Sequence, residues 1–100
     1  MIHEQEITLL YDHMDRNYIL PPYVIDREKF DKISYGRWAI EEIIGLLADF
    51  PGRGADRIIR EFAITMRTLS ARDKSTSYIF RIAAETAEEA LALIENGGMC

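Results

Sequence analysis

Apolar residues recur at helical spacing in this chain, in stretches separated by short polar or proline-containing breaks. Ile7, Leu10, Tyr11, Met14 and Tyr18 stand at i, i+3, i+4, i+7 and i+11, which puts all five on one face and predicts a helix over about residues 4–17. Glu4 and Glu6 in its first turn suit the positive end of the helix dipole. The next stretch, NYILPPYVID, lacks two backbone donors at Pro21 and Pro22 and reads as an extended connector that turns its Tyr, Ile and Leu side chains inward.

Asp26 is placed to cap a short helix, DREKFDKI, that buries Phe30 and Ile33. Ser34 is placed to cap the following one, SYGRWAIEEIIGLLADF, whose stripe is Ile40, Ile43, Ile44, Leu47 and Phe50. The two can fuse through Tyr35-Gly36, since glycine there costs only about 1 kcal/mol. Trp38 reads as core or as an interface anchor, with core preferred because it stands beside Ile40 and one turn from Tyr35. Pro51 and Gly52 end the segment, and a third helix follows over about residues 55–72 with Ile59, Phe62, Ala63, Met66 and Leu69 as its apolar face.

The last segment, STSYIFRIAAETAEEALALIENGG, reads as one helix with Ile79, Ile82, Ala83, Thr86, Ala90, Leu93 and Ile94 on one side and Gly97 as a C-cap. A strand over 78–84, followed by a helix opening on a Thr86–Glu89 capping box, is the alternative. The helix is preferred because a lone strand has no partner elsewhere in the sequence. The expected fold is all-α: a compact bundle of about four helices plus one short helix, as a single domain over residues 1–100.

Composition narrows the function. An apolar fraction of 48% with 29% charged residues is that of a globular chain. No run approaches the roughly 20 apolar residues of a membrane span. The acidic start, MIHEQE, lacks the basic flank of a signal peptide, so the expected location is cytoplasmic. The one cysteine, Cys100, admits no internal disulfide.

The net charge of -5 argues against simple wrapping of nucleic acid, but it is unevenly spread. Residues 51–74 carry six basic groups against three acidic ones, for +3. There Arg53, Arg57, Arg60 and Arg67 fall within roughly 80° of one another at 100° per residue if the helical phase extends back to Arg53, with Ile64 in their midst. Arginine, rich in interfaces and suited to bidentate contacts, makes this set the candidate partner-binding surface. Its competing reading is a face solvated or paired within the chain, with Glu61 or with acids of the first and last helices. A second candidate is acidic: Glu85, Glu88, Glu89 and Glu95 beside Glu4, Glu6, Asp12 and Asp15.

Catalytic chemistry finds no anchor. PGRGADR places glycines before a helix, but it follows a helix rather than a strand and lacks the Lys-Ser or Lys-Thr of a phosphate loop. Asp56 also puts a carboxylate where an anion would sit, so the stretch reads as a turn. His3 and His13 lack metal-ligand spacing, and the adjacent pairs Glu41-Glu42 and Glu88-Glu89 diverge by about 100° on a helix. No enzyme, metal or cofactor is expected.

The stretches ISYGRWAIEEIIGLLADF, IIREFAITM and FRIAAETAEEALALIE resemble short helical proteins of bacterial prophages and mobile elements, a broad group that includes anti-CRISPR-type inhibitors. The resemblance spans about residues 20–95, rests on pattern and assigns no site residues. It implies binding rather than catalysis. The expected function is therefore a small non-enzymatic interaction protein that binds a macromolecule, a protein in preference, as inhibitor or adaptor. One alternative is a nucleic-acid-binding regulator with Arg57, Arg60 and Arg67 on phosphates. Another is a self-associating structural subunit, with apolar stripes closing a homodimer.

Overall fold

The computed structural model describes residues 3–97, and Cys100 lies outside them. Four helices follow one another: α1 (Glu4–Asn17), α2 (Arg27–Asp49), α3 (Ala55–Arg72) and α4 (Ser77–Gly97). No strand occurs among the described residues, so YIFRIAA belongs to α4 and the α+β alternative falls away. The four helices occupy 38 × 34 × 22 Å. The C-cap expected at Gly97 turns on residues outside the described range, because α4 is helical through Gly97 itself.

Two predicted helices are one. Asp26 caps α2 as expected, its Oδ1 accepting the Lys29 backbone N–H at 2.8 Å. Ser34 caps nothing; it lies inside the helix, and the separate short helix is simply the first part of α2. Continuity through Gly36 has a steric reason. A Cβ built there would run into Tyr18 Cε1, lie 2.9 Å from Tyr18 Cδ1 and approach Thr86 Oγ1 to 3.1 Å. Hydrogen is the only side chain that lets the end of α1, the middle of α2 and α4 converge there.

Tyr18, the residue that ends α1, holds this junction. Its N–H donates to the Met14 carbonyl at 2.9 Å, and its own carbonyl accepts from Arg37 Nη1 at 3.1 Å. Its hydroxyl donates towards Glu89 of α4 at 3.4 Å, and its ring meets His13 edge-on with centroids 5.7 Å apart. Burial, foremost, lifts its phenol above the usual tyrosine range, and the Glu89 carboxylate adds to the rise against an opposing hydrogen bond from Thr86.

The core is built from small residues as much as large ones. Ala83, Ala84, Ala87 and Ala90 of α4 are wholly inaccessible, as is Ala39 of α2. Around them lie Leu10, Ile40, Ile43, Leu47 and Ile59, also fully buried. The alanines let α3 lie along α4 in the most extensive helix pairing of the fold, while α2 and α3 touch each other only sparingly. Ile58, absent from the predicted stripe of α3, is buried as well.

Several expected core residues lie outside. Tyr11, on the predicted face of α1, is about half exposed, and Phe30, Phe50 and Trp38 remain substantially accessible. In the connector Tyr18 is buried and Ile25 half-buried, while Ile19, Leu20, Tyr23 and Val24 face solvent. An interior lined by alanines has little room for large side chains, and the extended backbone around Pro21-Pro22 has no hydrogen-bonded partner to lay it against the core.

The junction makes a two-sided prediction. Gly→Ala inside a helix ordinarily stabilises by up to about 1 kcal/mol. Gly45→Ala, with nothing within 4 Å of the new methyl, should raise the urea midpoint accordingly. Gly36→Ala should lower it, by about 1–3 kcal/mol, because overpacking outweighs propensity. Equal stabilisation by both would show that Tyr18 does not pack against Gly36.

Candidate partner-binding surfaces

α3 begins where PGRGADR ends. Gly54 is its N-cap in extended backbone, offers no side-chain bond, and accepts the Ile58 N–H on its carbonyl at 3.1 Å. Asp56 stands in the first turn, with its Oδ1 so close that a Cβ on Gly54 would lie 2.9 Å from it. That carboxylate covers the helix N-terminus, in keeping with a turn rather than an anion loop.

Arg57, Arg60 and Arg67 lie on α3, whereas Arg53 lies in the turn before its Gly54 N-cap, so the helical phase does not extend back to it; each of the four faces a carboxylate. Arg53 Nη1 donates to Glu61 Oε2 at 3.2 Å, and Arg57 Nε to Glu61 Oε1 at 3.3 Å, so one carboxylate serves two guanidinium groups. Arg60 lies between Asp56, at 4.0 Å, and Glu95 of α4, at 3.8 Å. Arg67 grips Glu88 of α4 with two bonds, of 3.1 and 2.7 Å. The Glu88 hydrogen bond, and then its charge, hold the Arg67 guanidinium above even its ordinary high pKa. The face is thus closed electrically within the chain. Ile64 sits on it, more than half exposed, next to Thr65 and Thr68, whose hydroxyls donate to carbonyls one turn back.

The acidic candidate is divided by the same pairing. Glu88 and Glu95 are taken by arginines, and Glu89 Oε1 lies 2.8 Å from His13 Nε2. Asp12 pairs with Arg16 at 3.2 Å, and Glu6 with His3 at 3.6 Å. α1 and α4 are in contact, and three of these eight acids join elements, Glu88 and Glu95 to α3 and Glu89 to α1, while Glu6 and Asp12 pair locally. No group of three or more metal-ligating side chains forms among the described residues.

Two apolar surfaces emerge that periodicity alone did not indicate. Beside the arginine face, where α2 and α3 splay, a cleft of about 240 Å³ is lined by Leu46, Phe50, Ile58 and Phe62, with Arg53 and Glu61 among its polar walls. Arg53 lies over the Phe50 ring, 5.4 Å from its centroid. Trp38 lies against Phe62, centroids 6.4 Å apart and planes inclined by 50°, and keeps 39% of its surface in solvent. Its assignment to the core is therefore corrected: it is the exposed shoulder of the α2–α3 pair. The second surface is the connector, where a hollow of about 320 Å³ is lined by Ile19, Pro21, Tyr23, Ile25 and Ile33, together with Lys29 and Lys32. The proline pair signalled an extended segment there, but not which way its side chains turn.

Self-neutralisation of the arginine face has a direct consequence. Glu61→Gln combined with Glu88→Gln should leave the helical circular dichroism signal intact and confer salt-sensitive retention on heparin that the wild-type chain lacks. The stability cost of Glu61→Gln should stay within about 1 kcal/mol, as for other exposed pairs. Equal retention of both proteins would mean that the carboxylates do not mask the guanidinium groups.

Comparison with family models, with curated proteins and with solved structures finds no match for this chain.

Proposed function

We propose that this chain is a non-enzymatic interaction protein that binds a protein partner along the α2–α3 cleft and the adjoining outer face of α3, acting as an inhibitor or adaptor. The observation that supports it is the chemistry gathered there: a half-exposed tryptophan laid on a phenylalanine, an apolar cleft beside it, and arginines already oriented by carboxylates around Ile64. Tryptophan and arginine are the side chains most enriched among binding hot spots, and desolvated apolar pockets near the middle of an interface carry most of its energy.

Arg53, Arg57, Arg60 and Arg67 act in this reading as a polar rim. Their internal partners hold the guanidinium groups in place, so less side-chain freedom is lost when a partner arrives. Ile64 and Trp38 supply the apolar contacts. The mechanism is steric occupation of a partner's surface; the resemblance to small proteins of prophages and mobile elements implies binding rather than catalysis and no more. A nucleic-acid regulator is the weaker reading, because phosphates would have to displace Glu61, Glu88 and Glu95 from the arginines.

The test is capture from a lysate of the source organism, with and without nuclease, using three baits. Wild type should retain one dominant protein that survives nuclease. Trp38→Ala with Ile64→Glu should lose it by at least about tenfold, the scale of a single hot-spot residue, while keeping its circular dichroism spectrum. Arg60→Glu with Arg67→Glu should weaken it less. Capture that disappears with nuclease, or that is indifferent to Trp38 and Ile64, would sink the proposal.

A further inference from the structure

The connector surface stands apart from the cleft. α2 runs between them, and from Ile33 to Leu46 it advances about 20 Å at 1.5 Å per residue. Val24 is 98% exposed and Tyr23 71%, with Ile19, Leu20 and Phe30 each near half. Single exposed apolar residues need no explanation, but a contiguous set around a hollow marks a contact site. Pro21 and Pro22 restrict the backbone beneath it, which reduces the ordering cost of presenting those side chains.

Charge decides what fits. Seven of the nine arginines, Arg16, Arg27, Arg37, Arg53, Arg57, Arg60 and Arg67, are each paired with a carboxylate. Lys29 and Lys32, by contrast, make no side-chain hydrogen bond or ion pair among the described residues, and both line the apolar hollow. They stand three apart on α2, so their stems are neighbours and two ammonium groups can converge on one acidic side chain. Among the nearby acids Asp26 caps the helix, Asp31 accepts Arg27 at 3.1 Å, and Glu89, which shares a neighbouring hollow with Lys32, meets His13 at 2.8 Å, while Glu28 stands one turn before Lys32 without an ion pair to it. Glu28 is not among the residues lining the hollow.

We propose that this hollow is a second docking site, for a segment of a protein partner in which apolar residues are accompanied by aspartate or glutamate. The apolar side chains enter between Ile19, Tyr23 and Ile33, and the carboxylate meets Lys29 and Lys32. Two lysines on a chain of net charge -5 are too few to hold a polyanion or an anionic bilayer. A second copy related by two-fold symmetry would bring the two lysine pairs towards each other. The site is independent of the α2–α3 cleft.

The test uses short synthetic peptides in which Leu or Phe alternates with Asp or Glu, together with the same peptides carrying Lys at each acidic position. Amide chemical shifts should move over residues 19–33 and leave the α2–α3 cleft unmoved. Fluorescence anisotropy should give at least about tenfold weaker binding for the Lys peptides, a loss that corresponds to one well-formed charge pair. A similar loss is expected for Lys29→Glu with Lys32→Glu, and for Tyr23→Ser with Val24→Ser, all exposed positions whose variants should keep the wild-type melting curve. Failure of every acidic peptide to move these resonances would overturn the assignment. So would equal binding of the Lys peptides, dimerisation through residues 19–33, or binding of phosphatidylserine vesicles in place of peptides.

Discussion

The close approach of helices through small side chains is the constraint from which the rest of this structure follows. Ala83, Ala84, Ala87 and Ala90 leave α4 almost smooth along its buried side, and Gly36 does the same for α2 where Tyr18 crosses it. Close packing gains dispersion contacts and excludes water. It also limits how many bulky residues the interior can take. Trp38, Phe30, Phe50 and Tyr11 are the residues left outside.

Electrostatics follows from the same geometry. With α3 laid along α4, Arg60 and Arg67 meet Glu95 and Glu88, and what looks in sequence like a basic face beside an acidic one becomes a seam of ion pairs. Exposed pairs of this kind add little stability one by one. Their larger effect is to remove long-range charge from the α3 surface, so that shape and apolar contact decide what binds there. The lysines beside the connector stand outside this seam: Asp26 is used in capping, Asp31 by Arg27, and Glu28 does not line their hollow.

The helices were legible in the sequence because periodicity reports directly on which side of an element is buried. α1 and α3 have the expected bounds, but Arg53 falls in the turn before α3 and not on its helical phase. What escaped was whatever depends on a distant partner. Ser34 has the composition of a cap, yet Tyr18 and Thr86 packing on Gly36 carry the helix through it. Trp38 and Phe30 have the hydrophobicity of core residues, but their exposure depends on how the helices pack, which their own local pattern does not report. Pairing of Arg67 with Glu88 likewise spans 21 positions, beyond any local pattern.

The central claim is that this chain presents its partner with an apolar cleft flanked by arginines already neutralised, rather than with an open basic face. Hydrogen–deuterium exchange of the chain, free and bound to its captured protein partner, tests that most directly. Protection should gather on the C-terminal half of α2, the 50–54 turn and the cleft side of α3. Protection confined to the Arg60–Glu95 and Arg67–Glu88 seam would contradict it, because binding would then have broken those pairs to use their charge.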